Sequence, residues 1–386
     1  MVSQMQKNPE LLRIREEIDR IDSELIPLFV ERMKCSEDVA RIKIAEGMKV
    51  LDKEREKKVL EKVRGKAGEY GDSAIILYAS MMSLSRAHQY QLIKGGNEIE
   101  VMERTAERKV RSDGKIFCQG AEGAYSHKAA LRFLKEIGSE NVDIVRFRPT
   151  WRDVFEAVDK GEAEFGVLPV ENSSAGSVHD VYSLILKYRL YIVGVVSMKI
   201  SHCLAAKDNG KITKVISHPQ ALAQCSSFIY KNGLEAEEFS NTAAAAKYLM
   251  QNGKDGEAVI CSEEAAKEYG LKIIGRDIQD MVYNMTRFVI LSKRPILPED
   301  ANKIGLCFSL PHTSGSLYSI LEMFAVNGLN LTKIESRPIP GSKFEYSFYL
   351  DFTGNIHDVR TKDLIGMLQQ ELPEFSFLGN YKEIEG

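Results

Sequence analysis

Apolar residues recur through the first part of the chain at alternating spacings of three and four positions. Such spacing is typical of a helix that packs as a coiled coil. Pro27 lies inside this run and should kink the helix or remove a backbone hydrogen bond, at a cost of about 3 kcal/mol. The pattern predicts a long helix that starts at residue 8 and ends at Gly47. The apolar positions are Leu11, Ile14, Ile18, Ile21, Leu25 and Leu28.

Two shorter helical runs follow, over residues 52–64 and 73–93, with Gly65, Gly68 and Gly71 between them. Glycines punctuate helices in this way because they weaken the helix interior. The chain offers few partner helices for the long apolar stripe, so we expect a second subunit to complete the core. This region is predicted to be all-α and to form a homodimer, with a homotetramer left open.

Residues 95–113 are polar and charged, and they begin with two adjacent glycines. We expect a linker there. Beyond Lys115 the pattern changes, because short apolar runs alternate with helical segments such as HKAALRFLKEI and TAAAAKYLMQN. This alternation predicts an α/β domain. The expected strands are KIFCQ, VDIVRF, FGVLPV, YIVGVV, KVISH, EAVI and RFVIL.

The tail after residue 301 has a different order of elements. Its patterns predict strand, helix, strand, strand, helix and strand, which is the ferredoxin-like α+β order. The expected elements are strand 303–310, helix 316–326, strands 330–338 and 344–352, helix 358–372 and strand 375–381.

The composition fits a folded chain with several domains. Its 386 residues are 44% hydrophobic and 28% charged, which is an ordinary globular balance. At roughly 150 residues per domain, this length predicts two or three domains. With 52 basic and 55 acidic side chains the formal charge is −3, so no overall positive field attracts nucleic acid or an anionic membrane. We expect small-molecule ligands, and neither nucleic acid nor membrane as a partner.

The sequence starts without the apolar core of a signal peptide, and its most apolar stretch, residues 74–84, is too short to span a membrane. We therefore expect a cytoplasmic protein. The cysteines lie far apart without a C-x-x-C pair, which indicates neither a zinc cluster nor a disulfide framework. We expect buried thiols at Cys35, Cys118, Cys203, Cys225, Cys261 and Cys307.

Charged residues occupy unusual positions in the helical region. Arg32 continues the apolar stripe beyond Leu28, where a charge costs free energy unless it is paired or faces a ligand. Lys43 follows eleven residues later, so the two cations share a face. They indicate an anion site, although structural pairing explains Arg32 equally well. Arg15 projects at least a quarter turn away and would serve the site of a partner subunit.

Polar residues also share faces on the second helix (Asp52, Arg55 and Glu56) and on the third (Ser85 and Gln89). Taken singly, each group is also typical of solvated surface. Together with the three cations of the first helix, they make the region resemble the all-helical chorismate mutases. The resemblance implies an intertwined dimer that binds chorismate, a dicarboxylate, and rearranges it to prephenate without a covalent intermediate.

A pericyclic rearrangement needs no nucleophile, only a conformer held by charge and a stabilised, partly broken ether bond. The resemblance assigns the carboxylates to Arg32 and to Arg15 of the partner. Lys43 and Gln89 would donate to the ether oxygen, and Glu56 would fix the ring hydroxyl. Supporting polar contacts are assigned to Asp52, Arg55 and Ser85.

Three motifs begin the α/β region. GAEG, residues 120–123, lies between a predicted strand and a helix, where its N–H groups would bind an anion or simply form a tight turn. It matches neither G-x-G-x-x-G nor a P-loop, so no nucleotide cofactor is indicated. PVENSSAG, residues 169–176, ends a strand. SHPQALAQC, residues 217–225, begins a helix that Ser217 is expected to cap.

A fourth motif, NMTRF at residues 284–288, enters a strand. Strand alternation puts Thr286 and Phe288 on one face and Arg287 on the other, and only one face can line a site. The four motifs in this order resemble prephenate dehydratase over residues 115–291. The resemblance implies two α/β lobes, like those of type II periplasmic binding proteins, with the site in the cleft between them. Prephenate would lose its ring carboxylate and hydroxyl there to give phenylpyruvate.

Aromatisation drives this reaction, so the protein need only assist the departing hydroxide and restrict water. Thr286 is the family's candidate donor. Glu171 would be the better acid if burial raised its pKa, and both alternatives stay open. Arg287 and Phe288 join the candidate prephenate site, although Arg287 is also explained as a structural charge. Substrate carboxylates and the ketone would be held by Asn172, Ser173, Ser217, His218, Gln220 and Gln224.

The sequence departs from the family pattern at two positions. Ala121 stands where the family often has proline, and Ala124 stands where a threonine or serine hydroxyl is usual. One substrate hydrogen bond at Ala124 is therefore in doubt. His127, His179 and His202 stay unassigned.

The tail resembles an ACT domain, an amino-acid-sensing module. Two stretches match those that the dehydratase family uses for phenylalanine. Gly315, Ser316, Leu317 and Tyr318 open a helix, where backbone donors can receive a carboxylate. Glu335, Ser336, Arg337 and Pro338 supply polar and charged groups on a strand. By analogy, phenylalanine would bind between paired tails and inhibit the enzyme, although a plain folding role explains either stretch.

The resemblances together predict a bifunctional chorismate mutase and prephenate dehydratase of phenylalanine biosynthesis that phenylalanine inhibits. The predicted domains are a mutase domain at 1–94, a linker at 95–113, a dehydratase domain at 114–293 and an ACT domain at 302–382. No metal or organic cofactor is implied. The rival interpretations are a preference for arogenate, the loss of one activity, and an amino-acid sensor without enzymatic activity.

Overall fold

The computed structural model describes residues 8–93, 97–281, 283–313, 315–339 and 346–385. Two predicted features include residues outside these ranges. They are the glycine pair at the start of the linker and the first two residues of the strand expected at 344–352.

The helices and strands that the hydrophobic patterns predict occur in the predicted order, together with further short elements. The helices are α1 Pro9–Glu46, α2 Lys53–Ala67, α3 Gly71–Leu92, α4 Glu98–Thr105, α5 Tyr125–Glu136, α6 Trp151–Asp159, α7 His179–Tyr188, α8 Pro219–Gln224, α9 Ser226–Lys231, α10 Thr242–Asn252, α11 Glu263–Glu268, α12 Ser316–Val326 and α13 Val359–Glu371. The strands are β1 Ile116–Gln119, β2 Val145–Arg148, β3 Phe165–Asn172, β4 Gly176–Ser177, β5 Tyr191–Lys199, β6 Cys203–Ala206, β7 Lys214–Ser217, β8 Glu235–Glu238, β9 Glu257–Cys261, β10 Lys272–Gly275, β11 Met285–Ser292, β12 Lys303–Leu310, β13 Leu331–Pro338, β14 Tyr346–Thr353, β15 Ser376–Tyr381 and β16 Glu383–Glu385.

The chain divides into two compact units. The first unit contains Met1–Val101, Leu310–Leu329 and Val359–Pro373, and the second contains Met102–Ser309, Asn330–Asp358 and Glu374–Gly386. The tail therefore contributes its helices to the first unit and its strands to the second. The predicted division into three domains stays a prediction.

The first unit is helical. Helix α1 continues through Pro27 without a break, which confirms the single long helix. Its start is fixed by Asn8, whose side-chain oxygen accepts from the backbone N–H of Glu10 at 3.0 Å, and a helix start favours such a cap. Helices α1 and α2 pack on α3, and so do the tail helices α12 and α13.

The apolar stripe of α1 is exposed in the single chain. Ile18 is 50% exposed, Leu25 53% and Leu28 62%. Isolated apolar residues on a surface are ordinary, but a contiguous apolar stripe marks an interaction surface. The α1 stripe is thus available to a further helix.

In the described part of the second unit, the strands form three sheets. One sheet has the strand order β16-β5-β11-β3-β1-β2, with β4 paired to β3, and a second has the order β10-β6-β9-β7-β8. Each has its own buried apolar clusters, so the predicted two-lobed α/β arrangement is present. The tail strands form a third sheet in the order β13-β14-β12-β15. The tail sheet approaches β5 so closely that a Cβ on Gly379 would lie 2.0 Å from the Ile192 carbonyl oxygen.

Several details correct the predictions. The expected linker contains α4, which buries Ile99. The last strand, β16, pairs parallel to β5 and so extends the first sheet of the second unit. Cys35 is exposed, whereas the other cysteines are buried as expected. Among the described helices, none has both the length and the apolar character needed to cross a membrane.

Candidate functional site

A cavity of about 330 Å³ lies among α1, α2 and α3 in the first unit. We call it the helix cavity. It brings together Arg32, Lys43, Arg55, Glu56, Ser85 and Gln89 of the predicted residues. Its lining is Arg32, Cys35, Ser36, Val39, Lys43, Val50, Arg55, Glu56, Met82, Ser85, Arg86 and Gln89.

Arg32 is held at the cavity wall by α3. Its Nη1 donates to Ser85 Oγ at 2.8 Å and to the Met81 carbonyl at 3.4 Å. Ser85 Oγ in turn donates to the Met81 carbonyl at 2.8 Å. These contacts are with neutral groups, so the Arg32 guanidinium is available to pair with an anionic ligand.

Gln89 is 6% exposed and projects into the same cavity. Its Nε2 donates to Ser36 Oγ at 3.0 Å, and Ser36 Oγ donates to the Ser85 carbonyl at 3.3 Å. Gln89 Oε1 has no hydrogen-bond partner within the part of the chain that the structure describes. A buried polar atom left unpaired costs about 1–3 kcal/mol, so a ligand that donates here would gain affinity.

Two predicted residues do not belong to this cavity in the single chain. Asp52 is exposed and caps α2, because its Oδ1 accepts from the backbone N–H of Arg55 at 2.9 Å. Asp52 is thus a helix cap in the single chain, and its supporting contact to a substrate stays a prediction. Arg15 is exposed on α1 and does not line the cavity of its own chain. Lys43, at the end of α1, donates to the Val50 carbonyl.

The cavity also contains a cation that sequence analysis missed. Arg86 follows Ser85 on α3, and its Nη1 lies 2.5 Å from Glu56 Oε1. The spacing of three between Arg86 and Gln89 on one helix would have indicated a shared face. With Arg32, Lys43 and Arg55 also present, the lining suits an anion, and Glu56 offers one acceptor.

A second cavity, of about 170 Å³, lies between the first and second sheets of the second unit. We call it the sheet cavity. Predicted residues that line it are Asn172, His218, Gln220, Gln224, Thr286 and Phe288. Residues that sequence analysis left unassigned complete its lining, namely Gln119, Ala124, Tyr125, Ser126, Pro169, Ile200, His202, Ala221, Asn241 and Thr242.

Asn172 joins the ends of β3 and β11 at this cavity. Its Nδ2 donates to Thr286 Oγ1 at 2.8 Å and to Asn284 Oδ1 at 2.8 Å. Its Oδ1 accepts from the backbone N–H groups of Ser174 and Ala175, each at 3.0 Å. Since the backbone donors fix the amide orientation, Thr286 Oγ1 must act as an acceptor toward Asn172.

A series of hydrogen-bonded side chains continues from Asn172 through the next loop. Ser174 Oγ lies 2.6 Å from Asn172 Oδ1 and must donate to it, so it accepts from Gln224 Nε2 at 2.8 Å. Gln224 Oε1 then faces His202 Nε2 at 3.0 Å. An amide oxygen only accepts, so Nε2 of His202 carries the proton.

The other ring nitrogen of His202 is Nδ1. This atom is buried and has no partner among the described residues. Burial lowers the pKa of His202, and the hydrogen bond to Gln224 opposes this shift. Burial also lowers the pKa of His218, which lines the cavity from the second lobe.

Glu171 lies on the opposite face of β3 from Asn172 and does not line the sheet cavity. Its Oε2 is 3.2 Å from Arg287 Nη1 and 3.1 Å from Lys333 Nζ. The suggestion that Glu171 supplies the acid is therefore corrected, because it is turned away from Thr286. Adjacent residues of a strand face opposite sides, a signal that was present in the sequence.

Arg287 shares this opposite face, as strand alternation predicts. It lies 2.9 Å from Glu383 and 3.7 Å from Asp351, in addition to Glu171. The structural explanation of Arg287 is thus the correct one, and its place in the prephenate site is withdrawn.

Two serines also take structural roles. Ser217 is buried and donates through Oγ to the Ile260 carbonyl at 2.5 Å. The cap of α8 is His218, whose Nδ1 accepts from the backbone N–H of Gln220 at 3.2 Å, so the prediction of a Ser217 cap is wrong. Ser173 is exposed, and its Oγ accepts from the backbone N–H of Met285 at 2.9 Å.

The GAEG segment forms a tight turn between β1 and α5. The backbone N–H of Gly123 donates to His127 Nδ1 at 3.1 Å, and that of Ala124 donates to the Ala121 carbonyl at 3.1 Å. Gly123 has φ +78°, and a Cβ there would lie 2.7 Å from Cα of Ala265. The turn explanation is favoured, since these N–H groups are occupied.

The two stretches of the tail that were predicted to bind phenylalanine, residues 315–318 and 335–338, lie in different units. In the first unit, Gly315 has φ 85° at the start of α12, and Ser316 Oγ donates to the Pro311 carbonyl at 2.9 Å. Leu317 follows in the first turn, and Tyr318 is 55% exposed. In the second unit, the side chains of β13 alternate between half-buried and exposed positions. Glu335 accepts from Ser177 Oγ at 2.5 Å and from Arg337 Nη2 at 2.8 Å, while Ser336 and Pro338 are exposed.

The amino-acid sequence is similar to known proteins over nearly its whole length. Residues 14–90 match the family of type II chorismate mutases, and residues 116–296 match the prephenate dehydratases. A bifunctional chorismate mutase/prephenate dehydratase from Aquifex aeolicus (strain VF5) is 32% identical over 378 residues, which are 96% of this chain and 98% of that protein.

Two further relatives resemble the second part of the chain. Arogenate dehydratase 2 of Petunia hybrida is 39% identical over 292 residues, covering 70% of this chain and 72% of that protein. The crystal structure of prephenate dehydratase from Arthrobacter aurescens in complex with L-Phe is 29% identical and covers 69% of this chain and 90% of that one, with a TM-score of 0.62.

Proposed function

The chain belongs to the bifunctional chorismate mutase/prephenate dehydratase family, and from this premise we propose that the helix cavity carries the mutase reaction and the sheet cavity the dehydratase reaction. Both activities follow from family membership. The assignment of each reaction to a cavity and to residues is the proposal.

In the helix cavity, Arg32 binds a chorismate carboxylate, and Lys43 stabilises the developing charge on the ether oxygen. Gln89 donates to the same oxygen through the Nε2 hydrogen that Ser36 does not use. Glu56 accepts from the ring hydroxyl. Such electrostatic stabilisation and conformer selection suffice for a rearrangement that forms no covalent bond to the enzyme. The observation that supports this assignment is the clustering of four cations, Arg32, Lys43, Arg55 and Arg86, around one cavity.

In the sheet cavity, Thr286 donates a hydrogen bond to the leaving hydroxyl of prephenate. The bond between the ring and its carboxylate breaks, its electron pair enters the ring, and the carboxyl group leaves as CO2. The C–O bond to the hydroxyl breaks as the ring becomes aromatic, and the released hydroxide takes a proton from solvent to become water. Asn172 keeps the Thr286 oxygen occupied as an acceptor, which leaves the hydroxyl hydrogen directed at the ligand. His218, Gln220 and Gln224 bind the carboxylates and the ketone.

The exposed stripe of α1 supports a homodimer. A second copy would cover Ile18, Leu25 and Leu28, and would bring Arg15 to the helix cavity of its partner. We assign the tail, residues 302–382, to the ACT class on its βαββαβ order, beside a mutase domain at 1–94 and a dehydratase domain at 114–293. Phenylalanine is its effector, as the L-Phe complex of the Arthrobacter relative suggests.

The name of one relative favours a second substrate for the sheet cavity. The Petunia protein is named an arogenate dehydratase, and arogenate carries an ammonium group where prephenate has a ketone. We therefore include arogenate as an alternative substrate of the sheet cavity.

One experiment tests these assignments together. Purified protein is incubated with chorismate alone, and prephenate and phenylpyruvate are followed over time with and without phenylalanine. Phenylpyruvate formation that phenylalanine suppresses is expected. The variant Arg32→Ala should lose the mutase step but still convert added prephenate, whereas Arg41→Ala, exposed on the same helix, should retain both. A dehydratase rate higher with arogenate than with prephenate would favour the alternative.

A further inference from the structure

Arg86 links the helix cavity to the last helix of the tail. Its Nη1 lies 2.5 Å from Glu56 Oε1 on α2, and its Nε lies 2.8 Å from Glu371 Oε1 on α13. One guanidinium on α3 thus joins carboxylates from two other helices. All three residues belong to the first unit.

The three charged side chains are buried to different degrees. The side chain of Glu371 is 8% exposed and that of Arg86 12%, whereas Glu56, at the cavity wall, is 26% exposed. Tyr90, one turn further along α3, also hydrogen bonds to Glu371. The tail carboxylate is therefore the most enclosed of the three.

A buried ion pair is a poor means of gaining stability, since well-packed apolar residues often do as well or better. Its value lies in fixing positions, because a guanidinium holds its partners in a planar, directional arrangement. The Glu371 carboxylate fixes the position of Nε of Arg86. Because the guanidinium is planar, this also fixes the position of Nη1, which contacts the Glu56 carboxylate.

We propose that Glu371 is a positioning residue for the mutase reaction, which acts through Arg86 to hold the Glu56 carboxylate toward the substrate hydroxyl. Helix α13 of the tail thereby completes the mutase site from outside the mutase domain. The inference rests on the proposed assignment of the mutase reaction to the helix cavity. It gives the tail a catalytic role that is separate from sensing an effector.

The test uses the full-length protein and measures mutase kcat and KM with chorismate. Glu371→Gln keeps the shape and an acceptor oxygen but removes the charge, and mutase kcat/KM should fall about tenfold. Dehydratase turnover of added prephenate should stay unchanged. The Tm is expected to fall but to stay above the assay temperature, because removing one partner of a buried ion pair costs stability. The matched control is Glu322→Gln, because Glu322 joins the other tail helix to Ser80 on α3 but does not line the helix cavity. It should leave mutase kcat/KM unchanged.

A double variant distinguishes positioning from general structural support. If Glu371 acts only through Glu56, then Glu56→Gln/Glu371→Gln should be no slower than Glu56→Gln alone. Losses that multiply in the double variant, or a Glu371→Gln variant within twofold of the wild type, would overturn the inference.

Two further results keep the test decisive. Should Glu371→Gln unfold, Glu371→Asp, which keeps the charge, must retain the Tm and show a smaller loss of mutase kcat/KM. Full mutase activity in Glu56→Gln would overturn the site assignment and the inference with it. An impaired Glu56→Gln beside an unimpaired Glu371→Gln would overturn the inference alone.

Discussion

Asn172 Nδ2 donates to Thr286 Oγ1 at 2.8 Å at the wall of the sheet cavity. The direction of this bond follows from the backbone N–H groups that hold the Asn172 oxygen. No acceptor for the Thr286 hydrogen is found among residues 8–93, 97–281, 283–313, 315–339 and 346–385. The hydroxyl is thus oriented as a donor to a bound ligand.

Removal of this hydroxyl should abolish the dehydratase step. Thr286→Val keeps the shape of the side chain, and we expect dehydratase kcat to fall at least about 10²-fold, as for loss of one hydrogen-bond donor to a developing charge. Mutase activity with chorismate should remain. Thr286→Ser, which restores the donor, is the control and should recover most of the rate. Equal rates in the Val and Ser variants would exclude the hydroxyl as the donor.

His202 should make the stability of the second unit depend on pH. Burial lowers its folded pKa below the ordinary value of about 6.5. As pH falls below that value, the unfolded chain takes up a proton that the folded protein resists, so this contribution to stability is lost. The limiting slope is about 1.4 kcal/mol per pH unit.

This dependence can be followed by the fluorescence of Trp151, the single tryptophan, which lies on α6 in the second unit. Urea unfolding at pH 7.5 and pH 5.5 should show a smaller pH effect in His202→Gln than in the wild type. His312→Gln, at an exposed position, serves as the control and should behave as the wild type. An unchanged pH effect in His202→Gln would contradict the prediction.

The α1 stripe should be a subunit interface. Ile18→Asp places a charge at a position that is 50% exposed in the single chain but buried in a dimer, where an unpaired charge is costly. Sedimentation should show a monomer, and mutase activity should fall because Arg15 of the partner is then absent. Glu61→Lys, exposed on α2, should leave the dimer intact. A dimeric Ile18→Asp variant would disprove the interface.

Hydrophobic spacing predicted helices with an apolar stripe on one face, such as α1, and strands buried on both faces, such as β3. It missed β8, because the residues Glu235–Glu238 form an exposed edge strand with no apolar signal. It also missed β16, whose partner β5 lies far away in the sequence. Such pairing depends on the folded arrangement and leaves little local trace.

For the candidate sites, too, local sequence patterns predicted only part of the arrangement. Residue type and motif identified Thr286 and Asn172, and alternation correctly separated Arg287 from them. The roles of His202 and Arg86 depend on partners distant in the sequence, namely Gln224 for the histidine and Glu56 for the arginine. Those partners become visible only in the folded chain.

Ser336 should contribute to inhibition by phenylalanine without contributing to catalysis. It is exposed on β13, whereas its neighbours Glu335 and Arg337 are engaged with each other. Ser336→Ala should raise the phenylalanine concentration for half-inhibition about fivefold, the factor expected for a lost hydrogen bond of about 1 kcal/mol. The measurement is dehydratase rate with prephenate against phenylalanine concentration.

The matched control for Ser336→Ala is Thr332→Ala, which removes a hydroxyl from the same exposed face of β13. Its Oγ1 donates within the tail sheet, to the Asp351 carbonyl at 3.2 Å, so inhibition should be unchanged. Both variants should keep the wild-type rate without phenylalanine, because neither residue lines the sheet cavity. Equal inhibition of wild type and Ser336→Ala would remove this residue from the effector site and leave the motif with a folding role.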